Sequence, residues 1–218
     1  MSVNHNENLW YLHQAHSFVR GNWGNTARAA PMILAKCCHD LDYLLWLLGE
    51  TCVSLSSVGS TQVYRRDRPP VGTTVPILTG VEPPERCTDG CPITEECPYY
   101  APRIYLRDDT ESFMIRAISA GLSYEARLHA LKTGPYGRCV YRCDNDVVDH
   151  QVVTMNFPSG ATATLTMQGF SHVEGRTTRI DGTRATLLAN EARREIIVQD
   201  HHAGPDITQG HGDVYIVV

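Results

Sequence analysis

Apolar side chains return at helical spacing most clearly in one stretch. Leu34, Cys38, Leu41, Leu45 and Leu48 follow one another three or four residues apart, Pro31 stands where a helix can open without losing a hydrogen bond, and Gly49 comes directly after the last of them. The pattern predicts a helix over residues 32–48 that stops at Gly49. Ahead of it, residues 9–19 mix aromatic, apolar and His positions as an extended segment would, and Gly21, Asn22, Gly24 and Asn25 mark residues 20–29 as a loop. Behind it, the Val-, Ser- and Thr-rich run 53–64 reads as a strand. A short helix is expected over 123–132, with Gly134 as its stop. The remaining elements are strands. Runs 147–157 and 161–170 flank the turn Pro158-Ser159-Gly160 as a hairpin, 177–180 meets the turn Asp181-Gly182-Thr183, and 185–188 and 195–199 complete the set. Helices in front and strands behind predict an α+β domain, with one sheet covered on one face by helices.

Composition narrows the picture. The 218 residues suffice for a single domain with a substantial core, with a Cys- and Pro-rich insert at residues 65–121 that carries most of the prolines. A loop of that length is usually functional or pinned by something. The net charge is −5, and the densest basic stretch, Arg65-Arg66-Asp67-Arg68, reads as a solvated loop, so nucleic acid is not an expected partner. No apolar run approaches the ~20 residues of a membrane span. Residues 1–7 are polar and do not resemble a secretory signal, so a cytoplasmic location is expected. In that compartment the eight cysteines are thiols, left for metal binding, reactivity or packing.

Three of them form the spacing Cys87-x3-Cys91-x5-Cys97 inside the insert. Three close thiolates supply most of a tetrahedral zinc shell, and either Cys143 or Cys139 can complete it; the expected metal set is Cys87, Cys91, Cys97 and Cys143. Binding would offset the entropy of ordering the long loop. The spacing is not that of a paired C-x-x-C ribbon, so free or redox-active thiols stand beside the metal reading, with an iron–sulfur cluster behind both. Cys37, Cys38 and Cys52 read as packing residues.

On the predicted helix, Lys36, His39, Asp40 and Tyr43 fall at i, i+3, i+4 and i+7, on the face opposite the leucines. An imidazole titrates near neutrality and suits moving a hydroxyl proton. Lys36 can polarise an oxygen beside His39, and Asp40 or Asp42 can orient the ring. A solvated helix face with incidental charges is the other reading. His13 and His16 precede the glycine loop, Arg20 can hold a carboxylate or a hydroxyl-rich substrate, and Asp146, Asp149 and His150 either line a pocket or cap the entry to the sheet. No Gly-x-Gly-x-x-Gly follows an expected strand, and Gly210-His211-Gly212 lacks the third glycine, so these residues offer no pyrophosphate cradle.

The stretch 31–49, with His39-Asp40-Leu41-Asp42 ahead of an apolar run that closes on Gly49, resembles a helix of the Gfo/Idh/MocA oxidoreductases, where a His in a His-Asp/Glu-x-Asp context occupies this place. Residues 16–23, 136–151 and 156–164 and the turn Ile180-Asp181-Gly182-Thr183 resemble further blocks of that family in the same order. The resemblance implies a partner Rossmann domain that binds NAD or NADP, hydride transfer to or from a saccharide or cyclitol carbon, and a second, α+β domain that supplies the substrate pocket and is built on a large, mostly antiparallel open β-sheet with helices on one face. Carried over by position, it makes His39 the catalytic acid/base with Lys36 its substrate-contacting neighbour. His16, Arg20, Asp40, Asp146 and His150 are the further substrate-binding candidates. It departs from the family at Ala35, where many members carry Asp, and at residues 211–218, where the family continues into a closing helix. The family's Glu-Lys-Pro lysine belongs to the nucleotide-binding half. The expectation is therefore the substrate-side domain of a sugar or cyclitol oxidoreductase, inactive until a separate Rossmann half is supplied. The alternatives are a non-catalytic saccharide-binding or oligomerisation module, homo-oligomeric through its sheet, or the substrate domain of an NAD-dependent glycosidase.

Overall fold

The computed structural model describes residues 1–66 and 83–202. Asp67 and Arg68 of the basic stretch, Gly210-His211-Gly212 and the segment 211–218 lie outside the described residues. In chain order the elements are β1 (Ser2–Trp10), α1 (Tyr11–His13) running into a π-helix (Gln14–Arg20), α2 (Met32–Ala35), α3 (Cys38–Leu48), β2 (Ser54–Ser60), α4 (Ala101–Tyr105), α5 (Phe113–Ile118), α6 (Tyr124–Thr133), a 3-10 turn (Pro135–Gly137), and β3 (His150–Asn156), β4 (Thr162–Ser171), β5 (Gly175–Asp181), β6 (Ala185–Asn190) and β7 (Glu195–Asp200). They fall into two compact units: residues 1–11, 33–60 and 150 onward, and residues 12–32 with 61–149. Among the described residues no helix is long and apolar enough to cross a membrane.

The first unit is one open seven-stranded sheet in the order β2-β3-β4-β1-β5-β6-β7. Only β1 and β4 pair in parallel; every other neighbouring pair is antiparallel. Strand β1 was not among the expected elements. It alternates strictly, with Val3, His5, Glu7 and Leu9 buried and Asn4, Asn6 and Asn8 turned the other way. Its register sets Val3 beside Ala163, His5 beside Leu165 and Glu7 beside Met167, and β3 adds Val153 and Met155 to the same buried face. The opposite face carries Asn4, Asn6, Thr154, Thr164, Thr166 and Gln168.

The helix expected over 32–48 is two helices. The break at Lys36 and Cys37 resets the rotational phase, so the buried positions become Met32, Cys37, Asp40 and Leu44, while Leu34 and Leu45 of the expected leucine stripe are exposed. The end of α3 follows expectation: Gly49 adopts φ 65° and donates its N–H to the Leu45 carbonyl at 2.9 Å.

The second unit is helical. Residues 14–20, read from sequence as part of an extended segment, form a π-helix buried along its whole length. With no solvent-facing side, such a helix leaves no polar–apolar period to read. Helix α6 begins where expected, with Ser123 Oγ accepting the Ala126 N–H at 3.2 Å. The insert contributes α4 and α5, whose Ile104, Tyr105, Met114 and Ile115 join Leu131 of α6 in the core. An isolated antiparallel bridge, Arg86 to Arg138, ties the insert to the segment after α6. Cys87 N–H reaches Gly137 O at 2.9 Å and Cys139 N–H reaches Glu85 O at 3.0 Å on either side of it. Gly137 is required there, because a Cβ would lie 1.8 Å from the Leu131 carbonyl oxygen.

Candidate functional site

Strand β1 points His5 and Glu7, its two inward polar residues, at the start of α3. His5 Nε2 donates to Asp40 Oδ1 at 2.9 Å, and His5 Nδ1 faces the Thr178 hydroxyl at 2.7 Å. Arg176 of β5 lies alongside. Its Nε donates to the same Asp40 oxygen at 2.6 Å, its Nη2 stands 2.8 Å from Glu7 Oε2, and its Nη1 reaches Glu191 at 3.4 Å. The Nη2 contact is an ion pair without hydrogen-bond geometry, since Glu7 Oε2 has no hydrogen-bond partner among the described residues. Lys36 Nζ closes the cluster, 3.0 Å from Glu7 Oε1 and 3.9 Å from Glu174. Two buried carboxylates thus meet two cations. Burial alone would raise the Asp40 carboxyl, but the bonds from His5 and Arg176 hold it below the usual carboxylate range. Burial works against the charge on Arg176 as well, and Asp40 and Glu7 overcome it. Burial pushes the adjacent Cys37 thiol up to about 12, so it is a packing residue and not a nucleophile.

This cluster pins α3 to the sheet by Asp40. His39, one residue earlier and about 100° round the helix, is thereby held on the exposed side of the first turn. Tyr43, one turn further along, packs against the His5 ring, tilted by 44° with the ring centres 5.3 Å apart. It lines a groove of about 380 Å3 with Arg176, Thr178, Asn190, Glu191 and Arg194. That volume lies in the range of small-molecule sites, ~300–1,000 Å3. His39 is not among the residues that line it.

The sequence candidates therefore part company. His39 and Asp40 share the first turn of α3, and Lys36, in the break before it, is engaged by Glu7. His150 opens β3, with its ring 3.3 Å from the Ser60 hydroxyl. The other three belong to the second unit. Asp146 accepts the Thr26 N–H at 2.6 Å as a loop brace. His16 is buried, hydrogen-bonded to the Tyr105 hydroxyl at 2.9 Å and stacked on Tyr136 at 4.7 Å; burial first, then His13 and Arg20, lower its pKa to about 4. Arg20 is buried and donates to the Arg138 and Tyr99 carbonyls at 2.7 and 2.6 Å. Sequence reasoning missed His5, Glu7 and Arg176. The alternation Val3, His5, Glu7, Leu9 against three asparagines was the available signal for the first two, whereas nothing local distinguishes Arg176 from Arg179, the other basic residue of β5.

No curated protein matches the chain. Among solved structures, levoglucosan dehydrogenase in complex with NADH is similar to the chain with a TM-score of 0.55 at 15% identity, covering 100% of this chain and 39% of that one. Its complex with NADH and L-sorbose gives 0.55 at 14% identity over 100% and 40%. The form with NADH and levoglucosan gives 0.53 at 15% over 100% and 39%. At such identities the likeness concerns the fold, and the chain spans about two-fifths of the length of these relatives. A family model, described as the oxidoreductase family, C-terminal alpha/beta domain, matches residues 2–211. The open sheet, its helix on one face and this match together make the chain a member of the Gfo/Idh/MocA oxidoreductase family, corresponding to its C-terminal alpha/beta domain.

Proposed function

We propose that the chain is the substrate side of an NAD(P)-dependent sugar or cyclitol oxidoreductase of cytoplasmic location, with His39 as its acid/base. The observation that carries this reading is the buried Asp40 clamp, which uses five side chains to fix the first turn of α3 and leaves the adjacent imidazole exposed. The described residues do not fit a dinucleotide: among them no glycine-rich turn joins a strand to a helix, and β1 runs into α1 through Trp10 and Tyr11. The step assigned to this chain is accordingly limited to the substrate hydroxyl. His39 takes the hydroxyl proton as the carbinol carbon is oxidised and returns it in the reverse direction. Lys36, held by Glu7, presents its remaining donors to the same substrate. The groove beside Tyr43, one turn along α3 from His39, offers Asn190, Glu191 and Arg194 to the part of a hydroxyl-rich substrate that lies away from the reacting carbon. The Asn- and Thr-lined outer face of the sheet supports self-association as part of the same reading.

Isothermal titration of the chain with NAD+ and NADP+, followed by a panel of sugars and cyclitols, tests this. No nucleotide binding is expected, together with polyol binding that falls in Arg194→Ala. Micromolar nucleotide binding by the chain alone would overturn the division of labour. Supplying a nucleotide-binding half should give turnover in the wild type that is lost in His39→Ala with polyol binding kept; turnover unchanged by that substitution removes His39 from its role.

A further inference from the structure

The second unit contains a buried cation that its own carboxylates do not answer. Arg20 is 1% exposed, and among the described residues it forms no ion pair with Asp or Glu. Its Nε and one Nη2 hydrogen bond go to main-chain carbonyls, a further Nη2 contact reaches Cys87 Sγ at 3.6 Å, and Nη1 has no hydrogen-bond partner. Burying a full charge on those terms is costly. The guanidinium lines a small cavity of about 20 Å3 whose wall also contains Cys87, Cys91, Cys97 and Cys139, closed off by Tyr99, Tyr141 and the Pro83-Pro84 pair.

The backbone is arranged around those sulfurs. The Ile93, Tyr99 and Tyr141 N–H groups are aimed at Sγ of Cys91, Cys97 and Cys139, each from two residues further along the chain. The Arg86–Arg138 bridge sets Cys87 and Cys139 on adjoining strands, and the turn through Gly90, at φ 75°, brings the chain round to Cys91. Cys143 stands apart: it is not in the cavity wall, and its thiol donates to the Cys139 carbonyl at 3.3 Å.

We propose that Cys87, Cys91, Cys97 and Cys139 bind one zinc ion as a tetrathiolate, with Arg20 as the buried counter-charge beside it. Zinc takes four sulfurs at ~2.3 Å in a tetrahedron and deprotonates them. Four thiolates on a divalent ion leave two net negative charges, and the unpaired guanidinium nitrogen supplies part of the balance. As the side chains are placed, no three His, Cys, Asp or Glu among the described residues stand at the separations of a metal-bound set. Binding therefore requires at least one thiol to turn about χ1, a step that carries its sulfur roughly 3 Å. The metal would join residues 87–97 to Cys139, as zinc orders other small segments. This reading is independent of any role for α3.

The test is metal content of the whole chain, purified without added metal, together with cobalt substitution. One zinc per chain is expected, and the stripped wild type titrated with Co2+ should develop thiolate charge-transfer and tetrahedral d–d absorption that saturates at one equivalent. Cys97→Ser and Cys139→Ser should lower zinc content at least several-fold, whereas Cys143→Ser keeps one zinc per chain. The cobalt titration reads the site in unaltered protein, so a variant that fails to fold does not decide the matter. Absence of metal with no tetrahedral cobalt spectrum would overturn the proposal, as would iron–sulfur absorption or a zinc content that depends on Cys143 and not on Cys139.

Discussion

Two arginines, one half-buried in the first unit and one buried in the second, meet the cost of leaving water in different ways. Arg176 is surrounded by Asp40, Glu7 and Glu191, all within 3.4 Å, and its charge is answered by residues of the same sheet and helix. Arg20 is more deeply buried and meets only carbonyls, hydroxyls and thiols. A carboxylate partner makes a site complete when the chain folds. A thiol ring makes a site whose counter-charge appears only when a metal removes the protons. The first arrangement suits a clamp that must hold a helix in one position, and the second suits a segment that is ordered by what it binds.

Breaking the clamp has the largest expected effect. Asp40→Ala leaves His5 and Arg176 facing each other without the shared oxygen and should cost about 3–5 kcal/mol in urea unfolding, the usual loss when one partner of a buried ion cluster is removed. The same change alters the acid limb. The folded Asp40 pKa lies below its unfolded value, so its contribution is present above the unfolded pKa and is lost as pH falls through the folded one. The variant should show a shallower acid transition, and an unchanged one would mean that Asp40 is not ionised in the folded protein.

The second unit has its own pH signature. His16 has a folded pKa of about 4 against an ordinary 6.5, so the unfolded chain binds more protons between those values and stability falls as pH drops through that window. Across the window stability should change by about 3 kcal/mol, because each pH unit between the two values is worth roughly 1.4 kcal/mol. His16→Asn should flatten the dependence between those pH values whatever it does to absolute stability; a preserved slope would assign it to another group. Gly137→Ala is next, at about 1–3 kcal/mol for forced overpacking against the Leu131 carbonyl, and thermal unfolding should place it well below wild type. At the far end stands the exposed pair Arg116–Glu111 at 2.7 Å. Arg116→Ala should change stability by less than about 0.5 kcal/mol, and a larger change in chemical denaturation would show that α5 depends on its surface charges.

The sheet was legible where alternation or turn chemistry was local. Strands β3 and β4 followed from the turn Pro158-Ser159-Gly160, and the stop of α3 followed from Gly49, because both signals act within a few residues. Strand β1 is equally regular, but its inward positions include His5 and Glu7, so a reading that equates inward with apolar passes over it. The phase of α3 is hidden for the same reason. Leu34 and Leu45 of the apolar stripe are exposed, while the side facing the sheet carries Asp40.

By itself, the sequence determined the family, the α+β class and the helix that bears His39, since each rests on the order of residues along the chain. Only the tertiary structure decided that Asp40 faces inward and His39 outward, because that depends on a break at Lys36 and Cys37 and on two residues of a strand some thirty positions away. It also decided which further cysteine lines the small cavity with Cys87, Cys91 and Cys97. Cys139 and Cys143 are equivalent by spacing, and a single bridge between Arg86 and Arg138 turns one toward the cavity and leaves the other outside it.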